Sequence, residues 1–219
     1  MEIRKSFNEE LQQLISQLLV MGDMVEQSII KAVKALKEQD LEAAQQVLDG
    51  DDDIDDIELA IEEKCLELIA RQQPMAKDLR KIATALKIIT DLERIADHSC
   101  NIAEACISIG KEPLIKPLVD IPRMAQLVRE MLKKALDSYA NNDVALAYDV
   151  CRADDEIDCL HNQIFRELLT YMMEDPKNIQ QATRLLFVSS YLERMGDHAT
   201  NLGEWLIYMV TGERKRLND

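Results

Sequence analysis

Eight acidic residues are spaced so that they could bind a cation. They form four pairs, each four residues apart: Asp51/Asp55, Glu93/Asp97, Asp154/Asp158 and Glu193/Asp197. On an α-helix such residues lie about 40° apart around the axis and share a face. Each pair would then present two carboxylates side by side. Adjacent carboxylates repel, so one stays protonated or a cation sits between them. Four hard oxygen donors with little basic compensation suit a cation site, and so many acidic ligands could hold more than one metal ion.

The pairs fall on apolar stripes. Leu79, Ile82, Leu86 and Ile89 define a stripe that continues onto Glu93 and Asp97. Asp51 and Asp55 flank a second stripe of Val47, Ile54 and Ile61. Carboxylates on a core-facing stripe are costly unless something compensates them. The structural rival to a metal is ion pairing: Arg94 and Arg194 could neutralise the acids. Each unit has only one such arginine near at least four acids.

Other polar residues recur beside the pairs. "DLERIADHSCNIAEA" at 91–105 and "YLERMGDHATNLGEW" at 191–205 share Leu, Glu, Arg, Asp, His, Asn and Glu at matching places. His98 and His198 lie about 140° around the helix from Glu93 and Glu193. That is a polar strip with Lys87, Asp91, Arg94 and Asn101, so a surface or inter-helix hydrogen bond is expected of them rather than ligation. Asn101 and Asn201 could orient the ligands, and Glu104 and Glu204 could join them. The first copy has Ala96 where the second has Gly196, a change expected to matter little for ligation. The cysteines and methionines at core spacing read as packing.

The elements that must position these residues are long helices. Phe7, Leu11, Leu14, Leu18, Met21, Val25, Ile29, Ala32 and Leu36 are spaced by threes and fours, which predicts one long amphipathic helix. Asp40 is a fitting N-cap for a second helix, and Pro74 fits the first turn of a third, which runs to about Ile109. The plan then repeats at Pro122 to about Ala140, Asp143 to about Met172 and Pro176 to about Val210. "DDDID" at 51–55 matches "DDEID" at 154–158, 103 residues on, and Asp40 matches Asp143 at the same offset. The third helices are offset by 100, and the difference falls in the loop before Pro176. The chain therefore reads as all-α, an internal duplication of a three-helix unit forming two pseudo-symmetric antiparallel bundles, end to end or side by side. "GKEPLIKP" is the expected boundary, giving units 1–110 and 111–219.

Composition narrows the function. A net charge of −15 repels nucleic-acid phosphates and anionic membranes, so a cation or a basic partner surface is the natural counterpart. No run approaches 18 apolar residues, and the N-terminal stretch lacks a signal-peptide core, so a cytoplasmic place is expected. Five cysteines without CxxC spacing suit a reduced compartment. No P-loop, GxSxG, HExxH or Rossmann glycine pattern occurs, and nothing pairs a nucleophile with a base. Di-metal carboxylate oxidoreductases of the ferritin-like kind use Glu-x-x-His, whereas here the order is Glu-x-x-x-Asp-His. A non-enzymatic protein is expected; a di-metal oxidoreductase or a purely structural helical adaptor are the alternatives.

"LERIADHSCNIAE", "LERMGDHATNLGE" and "QPMAKDLR", with the duplicated unit, resemble the PhoU family of bacterial phosphate-regulation proteins. The resemblance covers nearly the whole chain. It implies six helices in two bundles and multinuclear metal clusters, of iron or zinc, held by the eight paired carboxylates. It also implies negative control of phosphate uptake and of the phosphate-starvation regulon. The partners it implies are the phosphate ABC transporter ATPase and a sensor histidine kinase, at the inner face of the membrane through the transporter. A homodimer is a further expected assembly.

Overall fold

A computed structural model describes residues 2–217, with side chains from Phe7 onward. Among these residues there are helices and no strands. The helices are α1 (Glu2–Glu38), α2 (Leu41–Asp49), α3 (Asp51–Gln72), α4 (Lys77–Ile109), α5 (Asp120–Asn141), α6 (Val144–Glu174) and α7 (Ile179–Thr211). A 3₁₀ turn at Pro176–Asn178 leads into α7. Helices α1, α2–α3 and α4 form one three-helix unit, and α5, α6 and α7 form the other.

Local sequence explains most ends. The Asp40 carboxylate accepts hydrogen bonds from the amides of Glu42 and Ala43, and Asp143 accepts one from Leu146. Each cap is worth about 1 kcal/mol. Gly110 closes α4 at φ 67°, ψ −140°, which suits glycine. Two details differ from expectation. The second helix is broken at Gly50, whose counterpart in the uninterrupted α6 is Ala153. Pro74 lies in the connection before α4, because the chain turns through a positive φ at both Gln73 and Ala76 before the helix starts at Lys77.

The two units lie side by side. α4 runs antiparallel to α7: Arg80 reaches the carbonyl of Met209, Asp91 meets His198, and Arg184 reaches the carbonyl of Ser108. α1 packs on α5, where Arg129 pairs with Glu26 at 2.7 Å. Leu92 and Leu192, the matched leucines of the duplicated stretch, are both fully buried. The buried apolar side chains of both units join in one continuous core. Burial at about 25 cal/mol per Å² of apolar surface is its main stabilising term.

Candidate metal centre

Each unit brings its two acidic pairs to one helix–helix seam. In the second unit α6 contributes Asp154 and Asp158, and α7 contributes Glu193 and Asp197. All four line one open cavity of about 450 Å³, together with Asp155, Cys151, Tyr148 and Arg152, whose guanidinium pairs with Asp149. Asp154 is buried, only 6% exposed, while Asp158 and Asp197 face solvent. Glu193 is held above the ordinary carboxylate range, first by burial, then by the charges of Asp197 and Asp158.

In the first unit α3 contributes Asp51 and Asp55, and α4 contributes Glu93 and Asp97. Burial raises Asp51, and the charges of Asp55 and Asp97 add to the rise. Glu93 is pushed up to about 6, first by burial and then by Asp97. Here the arginine has answered the acids. Arg94 lies 3.3 Å from Glu93 and 3.0 Å from Asp97.

As the side chains stand, no three His, Cys, Asp or Glu among the described residues converge tightly enough to hold a metal ion. The carboxylates flank the core rather than fill it, because their helices meet at the bundle margin. Leu79, which headed the expected core stripe, is 41% exposed.

Gly196 matters more than the sequence suggested. A Cβ there would lie 2.8 Å from Asp154 Oδ1 and 3.0 Å from Ile157 Cδ1. The bare backbone lets Asp154 sink against α7. In the first unit Ala96 occupies this place, and Asp51 is only half-buried.

The polar strip has a different use. His198 Nδ1 lies 2.8 Å from Asp91 Oδ1, and the Asn201 amide donates to the same oxygen at 3.2 Å. His98 stacks on Tyr191 at 5.7 Å between ring centroids and stands 5.9 Å from His198. Burial, then His198 and Arg194, lower His98 to about 4, so its ring is neutral. His198 thus ties the two units by an inter-helix hydrogen bond, whereas His98 does so by ring contact, its buried Nδ1 having no hydrogen-bond partner. Asn101 donates back to the Asp97 carbonyl, and Glu204 accepts the Leu217 amide, so neither adds a free donor to a quartet.

Three features were not anticipated from sequence. Cys100 lies beside Asp51 and directs its thiol to the Val47 carbonyl, and burial holds that thiol well up, as it holds Cys151 at about 11. Glu58, one turn beyond Asp55, joins the first acidic cluster and is itself raised by burial and by Asp55. Its spacing from Asp55 was the available signal. The segment after α7 also borders the second cavity. Lys215 Nζ donates to Tyr148 at 3.0 Å, and Leu217 reaches the lining.

Comparison with known proteins agrees with this architecture. The family model for the PhoU domain matches residues 18–106 and 121–206. The chain is 44% identical to the phosphate-specific transport system accessory protein PhoU homolog of Clostridium acetobutylicum, across 99% of both chains. It is 42% identical to the homolog of Rhizobium meliloti, across 96% of this chain and 89% of that one. The crystal structure of PhoU from Pseudomonas aeruginosa superposes with a TM-score of 0.90 at 39% identity, covering 94% of this chain and 100% of that one. The phosphate transport system regulatory protein PhoU of Streptococcus pneumoniae gives 0.89 at 30% identity, over 96% and 99%. Two matches to the family model, full-length identity of this order and the close superposition make the chain a member of the PhoU family.

Proposed function

We propose that the chain is a metal-binding accessory protein of phosphate transport that restrains phosphate uptake and the phosphate-starvation response. The supporting observation is its full-length likeness to proteins named as accessory or regulatory components of phosphate transport, none of them named as an enzyme. It acts through contacts with the phosphate ABC transporter ATPase and a sensor histidine kinase, on the cytoplasmic side. No helix among the described residues is long and apolar enough to cross a membrane, so attachment would run through these partners. A pull-down with tagged protein from phosphate-replete cells tests this. Recovery of neither component would sink the regulatory reading.

The donor chemistry supports metal binding. The second cavity gathers four carboxylates, one of them nearly buried, and Glu193 is disfavoured as an anion there. A cation would relieve that cost, and small rotations of exposed side chains would close the donors around it. Iron or zinc is the expectation from the family. The first quartet has a second reading, because Arg94 already bridges Glu93 and Asp97. An occupied first site requires that half-exposed guanidinium to swing out. Elemental analysis of purified wild type and a Glu193→Ala/Asp197→Ala variant tests both. The variant is expected to lose the second unit's metal. If wild type and variant carry equal metal, or none, the cluster proposal fails; metal lost completely in the variant assigns the first quartet to ion pairing.

A further inference from the structure

The duplication makes each unit a control for the other, and in one place they differ. In the second unit Arg123 on α5 donates to Glu156 on α6 at 2.8 Å, bridging the outer faces of the two helices. The positions 103 residues earlier are Val20 on α1 and Asp53 on α3. A valine cannot bridge to an aspartate. The break at Gly50 parts α2 from α3 at the same level. A groove of about 390 Å³ results, with Val20, Met24, Val47 and Ile54 as apolar lining and Asp23 and Asp53 on its rim. Val20 is 51% exposed, an uncovered apolar side chain where the other unit has a satisfied ion pair.

We propose that this groove docks an amphipathic helix from a partner protein, apolar on one face and basic along its edges. Its α1 wall runs from Val20 to Lys31, which is about 16 Å, or three helical turns. Two helices walling an apolar trough suit a third helix that anchors side chains every third or fourth residue. Charge selects its edges. Asp49, Asp52, Asp53 and Asp56 are exposed around the Gly50 break, against the single Lys31 among the lining residues. A second copy of this chain would bring a net charge of −15 toward that rim, so a basic partner is favoured. Asp53 lies about 160° around α3 from Asp51 and Asp55, so the groove and the carboxylate seam occupy different faces. The groove therefore does not depend on metal being bound.

Fluorescence anisotropy with a labelled 18-residue Leu/Lys amphipathic helix tests the proposal, with a Leu/Glu helix of the same pattern as control. The comparison protein is Val20→Arg/Asp53→Glu, which installs the second unit's bridge across the groove. Asp53→Lys, a change at an exposed site, reverses the rim charge should the double variant melt early by circular dichroism. Wild type is expected to bind the Leu/Lys helix in a salt-sensitive way and the Leu/Glu helix weakly. Either variant is expected to weaken the Leu/Lys complex about tenfold or more. Equal binding by wild type and both variants overturns the proposal, as does equal binding of both peptides or no binding at all. A wild-type dimer in sedimentation that either variant dissociates gives the groove to a second copy and overturns it too.

Discussion

At Glu93, burial and the neighbouring acids raise the pKa, and only Arg94 opposes them. The Glu93 pKa in the folded chain is about 6, against an ordinary 4.5, with burial the first cause and Asp97 the second. A raised acid binds its proton more tightly when folded, so its stabilising contribution is full below pH 4.5. That contribution is lost as pH rises through about 6. Metal-free protein should therefore lose stability across this window. Glu93→Gln, which stays neutral, is predicted to melt with wild type at pH 4.5 and about 2–4 °C above it at pH 7.5. This corresponds to about 1 kcal/mol after allowing for solvent screening. Identical melting at both pH values would mean that Arg94 already cancels the cost. In metal-loaded protein the sign reverses if Glu93 is a ligand.

The two units make similar acids behave differently through their helices. Gly50 gives α3 its own N-terminus, and Asp51, Asp52 and Asp53 occupy its first turn. The positive end of the helix dipole favours them there by about 0.3–1 kcal/mol each. α6 runs unbroken, so Asp154 sits in mid-helix without that help, yet it is the more buried acid. Gly196 makes the burial sterically possible. Gly196→Ala adds about 1 kcal/mol of helix propensity, offset by the displacement of two flexible side-chain ends. We predict a melting temperature within about 2 °C of wild type but metal affinity at the second cavity down about tenfold, read by calorimetric titration. Unchanged affinity would show that Asp154 is not a ligand.

Across the whole molecule, the dyad between the units is built from matched positions with unmatched residues. Asp91 and Tyr191 are counterparts, so one histidine gains an acid partner and the other an aromatic one. The α1–α5 contact is closer still: a Cβ at Gly22 would lie 2.2 Å from Leu136 Cδ1, which belongs to the other unit. Gly22→Ala should destabilise the whole chain in one transition by about 1–3 kcal/mol, because buried Leu136 must move. Two separate melting steps, only one of them shifted, would mean that the units fold independently.

Much of this was determined by the sequence alone. Threes-and-fours spacing gave the long helices, Asp40 and Asp143 marked two starts, and the repeat offset paired the acids of each unit. Those signals are local, or are copies of one another, so they survive without coordinates. The tertiary structure decided the rest. It sank Asp154 but not Asp51, set Arg94 on two acids, turned the polar strips into the inter-unit seam, and left a groove where Val20 replaces Arg123. Spacing fixes the direction a side chain leaves its own helix. Its neighbour's rotation, distance and break points come from packing against residues far away in the chain, and those quantities determine whether a carboxylate is buried, paired or open.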